Sequence, residues 1–275
     1  MLSHDVAGTG PAVVLLHSTV CDRRMWDPQW PVLVEAGCRV VRCDFRGYGD
    51  TPVPQGPHND ADDVLDLLGD LGIGPVAVVG ASYGGKVALE IAARWPQRVT
   101  ALALVCAGMP GHEPTDALRG FWQREEELFD AGDIAGAVEL NVATWLGPEA
   151  SEATRERVRT MQRHAFELEL AAAQDSEDAD EDADEDADAD EDADADADAD
   201  AELVVGLSAI TAPSLVVSGA LDLPDFRLIA ARLAWLLADA ELVQLPWAGH
   251  LPTLERPDEL SALLTAFLQA TVGAG

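Results

Sequence analysis

Gly80-Ala81-Ser82-Tyr83-Gly84 sits between an apolar run, Val76-Ala77-Val78-Val79, and a helical run from Gly85 to Trp95. The order predicts a serine on a sharp turn from strand to helix, with small residues two positions to either side. Such a turn holds the serine backbone in a strained conformation, and glycines keep side chains out of the crowded bend. The hydroxyl then stands clear of the sheet edge, beside the N-terminal amides of the next helix, which favour negative charge. Further apolar runs, Ala12–His17, Arg39–Asp44 and Val99–Cys106, flank this one, with helical patterns at Ala61–Leu71 and after Ser82. Short continuous apolar strands alternating with helices predict an α/β fold whose mostly parallel sheet is buried on both faces.

A nucleophilic serine needs a base, and the base an orienting acid. Of the six histidines, His250 is the candidate base. It follows the apolar run Ala240–Leu245 in the loop Pro246-Trp247-Ala248-Gly249-His250, and a helical segment, Pro257–Leu268, comes after it. The candidate acid is Asp222, immediately after the strand-like Ser214–Gly219, with Asp225 as second choice. The order Ser82, Asp222, His250 is the one expected for a strand–serine–helix elbow. His17 reads as a structural histidine at a strand end, and His58, His112 and His164 as surface or cap residues. No metal-binding spacing of Cys, His or carboxylates is present, and no G-x-G-x-x-G follows a strand, so neither a metal nor a cofactor is expected.

With these residues in place the chain resembles the α/β-hydrolases, and within them the small serine esterases and lactonases similar to 3-oxoadipate enol-lactonase. Val13-Val14-Leu15-Leu16-His17 resembles the strand that leads into the oxyanion loop. Asp44-Phe45-Arg46-Gly47-Tyr48-Gly49 resembles the D-x-R-G-x-G turn, and Gly249-His250 with Glu255-Arg256-Pro257 resembles the ending around the catalytic histidine. The resemblance implies an oxyanion hole made by the backbone N–H groups of Tyr83 and Thr19. It also implies a helical cap over a substrate pocket, with Ser18, Trp122, Trp145 and Phe226 as expected pocket residues. The family usually has His-Gly where this chain has His17-Ser18, and serine is more restricted in backbone conformation than glycine. The N-terminal segment is short, so one or two opening antiparallel strands are expected to be missing or reduced.

The chain thus divides into a core of residues 1–110 and 209–275, a helical cap of residues 111–174, and an acidic low-complexity segment of residues 175–202. Cap helices are expected at Asp116–Ala131, Ile134–Leu146 and Ser151–Ala173, with Phe121, Trp122, Phe129, Trp145, Met161 and Phe166 as their large apolar residues. The Asp-Ala repeat has almost no apolar content beyond alanine and like charges at every spacing, so a solvated, disordered loop is expected there.

The formal net charge is −33, and residues 175–202 carry eighteen acids and no base, which leaves −15 on the rest. That excess argues against nucleic-acid partners and against attraction to anionic membranes. No run approaches the ~20 apolar residues of a membrane span, and Cys21, Cys38, Cys43 and Cys106 show no disulfide-scaffold spacing, so a cytoplasmic location is the default. The expected activity is hydrolysis of a small-molecule carboxylic ester or lactone through a Ser-His-Asp triad and an acyl-enzyme. For an anionic lactone, Arg23, Arg24 or Arg119 are the candidate counter-charges. The alternatives are a ligand-binding or signalling protein with little turnover, or a thioesterase, C–C bond hydrolase or lyase on the same scaffold. The natural substrate and the oligomeric state are left open by the sequence.

Overall fold

The computed structural model describes residues 1–180 and 203–272. Seven strands form one sheet: β1 (His4–Ala7), β2 (Ala12–Leu16), β3 (Arg39–Cys43), β4 (Val76–Ala81), β5 (Val99–Val105), β6 (Ser214–Gly219) and β7 (Ala240–Leu245). Their order is β1-β3-β2-β4-β5-β6-β7. Only β1 is antiparallel to its neighbour β3; every other pairing is parallel. One short opening antiparallel strand is therefore present. His-Asp-Val-Ala at the sheet edge is too short and too polar to announce itself by alternation.

The central strands β4 and β6 are buried along their whole length. Alternate residues feed two apolar layers. One holds Val14, Val78, Leu102 and Val216 against α2 (Asp60–Asp70), α3 (Tyr83–Arg94) and α7 (Pro224–Leu236). The other holds Val13, Val79, Ala103 and Val217 against α1 (Gln29–Glu35) and α9 (Pro257–Val272). A short helix, α8, is Pro252–Glu255.

Three helices are inserted between β5 and β6: α4 (Asp116–Asp130), α5 (Ile134–Trp145) and α6 (Glu152–Asp180). Their Leu118, Phe121, Val142, Trp145, Val158 and Met161 join the second apolar layer, so the cap shares the core of the sheet. Helix α6 runs on to Asp180, past the expected end at Ala173. The rest of the acidic segment, expected as a disordered loop, lies outside the described residues. From β2 the chain moves to one side of the sheet, to β3, and from β4 onward to the other. The crevice at such a reversal, beyond the carboxyl ends of β2 and β4, is where ligands bind in open α/β sheets. Among the described residues no helix is long and apolar enough to cross a membrane.

Candidate active site

Ser82 follows β4 directly with φ 53° and ψ −117°, the left-handed region that an L-residue enters only under constraint. The glycines around it are steric requirements. A Cβ on Gly80 would lie 2.2 Å from the Gly84 carbonyl oxygen, and one on Gly84 would lie 2.5 Å from that of Leu16. The bend is held by Ser82 N–H donating to the Val105 carbonyl and Gly84 N–H to that of His17.

Ser82 Oγ lies 2.8 Å from His250 Nε2, and His250 Nδ1 lies 2.7 Å from Asp222 Oδ2. A carboxylate can only accept, so Nδ1–H donates to Asp222 and Nε2 is left to accept from the Ser82 hydroxyl. All three side chains are buried. The other Asp222 oxygen accepts from Leu223 N–H at 2.7 Å, which fixes the carboxylate. The imidazole is flanked by Phe226, with ring centroids 4.1 Å apart, and by Trp145 at 4.7 Å.

Asp225 is not in this group. Its carboxylate accepts from Thr115 N–H at 2.7 Å, from Thr115 Oγ1 at 2.6 Å and from His112 Nε2 at 2.9 Å. It ties the start of the cap to α7. His17 is wholly buried, accepting from Phe45 N–H through Nε2 and donating through Nδ1 to the Ser18 carbonyl. Burial pushes its pKa down, against the pull of that backbone bond and of Asp44. Ser18 carries no positive φ: among the described residues only Ser82 and Cys106 do so without being glycine. The replacement of glycine by serine therefore costs the loop no backbone strain.

A cavity of about 710 Å³ opens above Ser82. Ser18, Thr19, Tyr83, Trp122, Trp145, Phe226 and His250 all line it. Among the described residues the amides of Tyr83 and Thr19 donate to no protein acceptor. Met161 packs into the core and Phe129 against the lining residue Phe166, and neither of the two lines the cavity itself. Arg23, Arg24 and Arg119 do not line the cavity. Arg23 is paired with Asp44, Asp5 and Asp50, Arg24 with Asp22, and the half-exposed Arg119 with Asp116.

Two supports of the site carried no signal of their role in the sequence. The Glu255 carboxylate accepts from the amides of Gly147, Gly249 and Leu251, and so shapes the His250 loop. Asn141 Oδ1 accepts from Trp145 Nε1 at 2.9 Å and orients the indole beside the imidazole. Cys106 Sγ, an Asp222 oxygen and a His250 ring nitrogen lie within 4.8 Å of one another. Both ring nitrogens of His250 are already engaged, one as donor to Asp222 and one as acceptor from Ser82, so this trio offers an ion no free imidazole lone pair.

The alpha/beta hydrolase family is matched over residues 13–263. The structure is similar to that of a hydrolase from Pseudomonas aeruginosa, with TM-score 0.74 and 29% identity over 97% of this chain and 94% of that one. It is similar to a thermophilic esterase from Thermogutta terrifontis, with TM-score 0.77 and 25% identity over 98% of this chain and 94% of that one. It shares its fold with the enol-lactonase of Burkholderia xenovorans, with TM-score 0.75 and 24% identity over 98% of this chain and 96% of that one.

Proposed function

The chain belongs to the α/β-hydrolase family, and from that premise we propose that it hydrolyses a carboxylic ester or lactone of a small molecule by way of a Ser82 acyl-enzyme. The observation that carries this reading is the continuous chain of hydrogen bonds from Ser82 Oγ through His250 to Asp222, opening into one cavity.

In this reading Asp222 holds His250 in the Nδ1–H tautomer. His250 Nε2 takes the Ser82 proton as Oγ attacks the carbonyl carbon, and the amides of Tyr83 and Thr19 receive the oxyanion. His250 then returns the proton to the leaving oxygen. The same base activates a water that releases the acid and restores Ser82. The buried imidazolium formed in transit is stabilised by the Asp222 charge beside it. The serine sets this site apart from branches of the family that use aspartate at the elbow.

The test is hydrolysis of p-nitrophenyl acetate and butyrate by the wild type beside Ser82→Ala, with burst and steady-state phases followed separately. A burst of one nitrophenolate per chain and a turnover that collapses by about 10³-fold or more in the variant are expected. Equal turnover in the two proteins would remove Ser82 from the reaction.

A further inference from the structure

Two cap helices present matching faces to the cavity. On α4 the lining residues are Leu118, Phe121, Trp122 and Glu125; on α6 they are Gln162, Ala165, Phe166 and Glu169. Both sets follow the i, i+3, i+4, i+7 spacing of one helix face. Phe121 packs edge-on against Trp145, which covers His250. Glu125 lies one turn further along α4, and Leu118 to Glu125 spans about 10 Å of helix. Ser82, its aromatic neighbours Trp145 and Phe226, and the carboxylates Glu125 and Glu169 thus line one cavity.

The charge of Glu169 is felt at Glu125. Burial raises the Glu125 pKa, its bond from Asn141 Nδ2 opposes the rise, and the charge of Glu169 adds to it. The Glu169 carboxyl is raised as well, by partial desolvation. The phenol of Tyr48, which lines the same space, is pushed up by burial and by the charges of Glu169, Asp60 and Glu125. Among the described residues no ion pair neutralises Glu125 or Glu169. Gln162 is only 5% exposed, and its Oε1 has no hydrogen-bond partner. Two cations, Arg46 and Lys86, also line the cavity. Arg46 forks onto Asp63 at 2.5 and 2.6 Å, and Lys86 is not free.

We propose that the end of the cavity between Glu125, Glu169, Gln162 and Tyr48 receives a quaternary or primary ammonium group of the substrate. The ester or lactone cleaved at Ser82 then carries its positive charge on the part remote from the scissile bond. A cation placed there offsets the charge of the two carboxylates, in a cavity also lined by the rings of Tyr48, Trp122 and Phe166. A carboxylate at that place on the substrate would be repelled by Glu125 and Glu169, which turns the proposal away from an anionic enol-lactone.

This assignment rests on the serine-hydrolase reading, and its test separates the two. Three p-nitrophenyl esters share one four-methylene acyl chain and end in trimethylammonium, tert-butyl or carboxylate. In the wild type, kcat/KM for the ammonium ester should exceed that for the tert-butyl isostere by about tenfold, with the carboxylate ester slowest. In the doubly substituted Glu125→Gln, Glu169→Gln protein that ratio should fall to near one, whatever the general loss of activity. A ratio near one in the wild type, or a ratio kept in the double variant, overturns the proposal. If none of the esters turns over faster than with Ser82→Ala, the hydrolase reading fails by itself. The subsite is then read by titrating Ser82→Ala with butyltrimethylammonium against its neutral tert-butyl analogue, following heats of binding by calorimetry. A Kd about tenfold lower for the cation, lost in the glutamine pair, supports the subsite. Equal Kd values refute it.

Discussion

Ser82 and His250 were legible because each announces itself locally, one at a glycine-flanked bend after an apolar run and one in a loop after another. In the sequence Glu255 stands out only as part of the family-like ending Glu255-Arg256-Pro257, and its role depends on folding. Its carboxylate gathers three buried amides, those of Gly147, Gly249 and Leu251, which come from two loops far apart in sequence. No period or spacing encodes that convergence. Replacing it leaves buried donors without acceptors, at about 1–3 kcal/mol each where the loop cannot relax. Glu255→Ala should therefore lower the urea midpoint markedly. It should also reduce kcat for p-nitrophenyl butyrate more than it changes KM, because the His250 loop loses its anchor while the cavity lining stays. Chemical denaturation together with steady-state kinetics reads both. A variant with wild-type kcat would show that the loop keeps its shape without the carboxylate.

At the level of elements, the buried strands were readable from composition alone, because a parallel strand covered on both faces is a continuous apolar run. Strand β1 and helix α1 were not read, since a four-residue edge strand and a seven-residue helix carry too little periodicity. The cap helices were placed by their patterns, but which face meets the cavity is set by packing against the sheet. Asp225 shows how that packing is fastened: from the first turn of α7 it binds Thr115 and His112 at the entry to the cap. Burial alone would raise its pKa, but the bonds from Thr115 and His112 outweigh burial and hold it below the ordinary carboxylate value. A depressed folded-state pKa means that folding favours the ionised form. The stabilisation is full above the unfolded value, about 3.9, and is lost as pH falls through the folded one. Urea midpoints measured from pH 3 to pH 6 should therefore rise with pH more steeply in the wild type than in Asp225→Asn. The variant should be the less stable protein at the top of that range, by about 1–3 kcal/mol for a broken buried charged hydrogen-bond set. Parallel curves would assign the acid sensitivity to other carboxylates.

For the whole molecule the governing quantity is charge. The chain carries a net −33, and Glu125 and Glu169 line its cavity, so the long-range field and the proposed subsite have the same sign. Such a field raises the local concentration of cations and depletes anions, and salt screens it over about 30 Å at 0.01 M but about 10 Å at 0.1 M. Raising ionic strength across that range should lower kcat/KM several-fold for the trimethylammonium ester, leave the tert-butyl ester unchanged and raise the carboxylate ester. Stopped-flow measurements at constant pH would read all three slopes. The eighteen acids of residues 175–202 supply more than half of the charge. Replacing them with asparagine and glutamine leaves −15 and should roughly halve the slope for the cationic ester, since attraction at a distance follows the summed charge. The cation preference at high salt, set by Glu125 and Glu169 at contact range, should persist through that replacement. A slope that does not change would mean that the core and cap alone produce the field at the cavity, with the repeat too distant or too well screened to contribute.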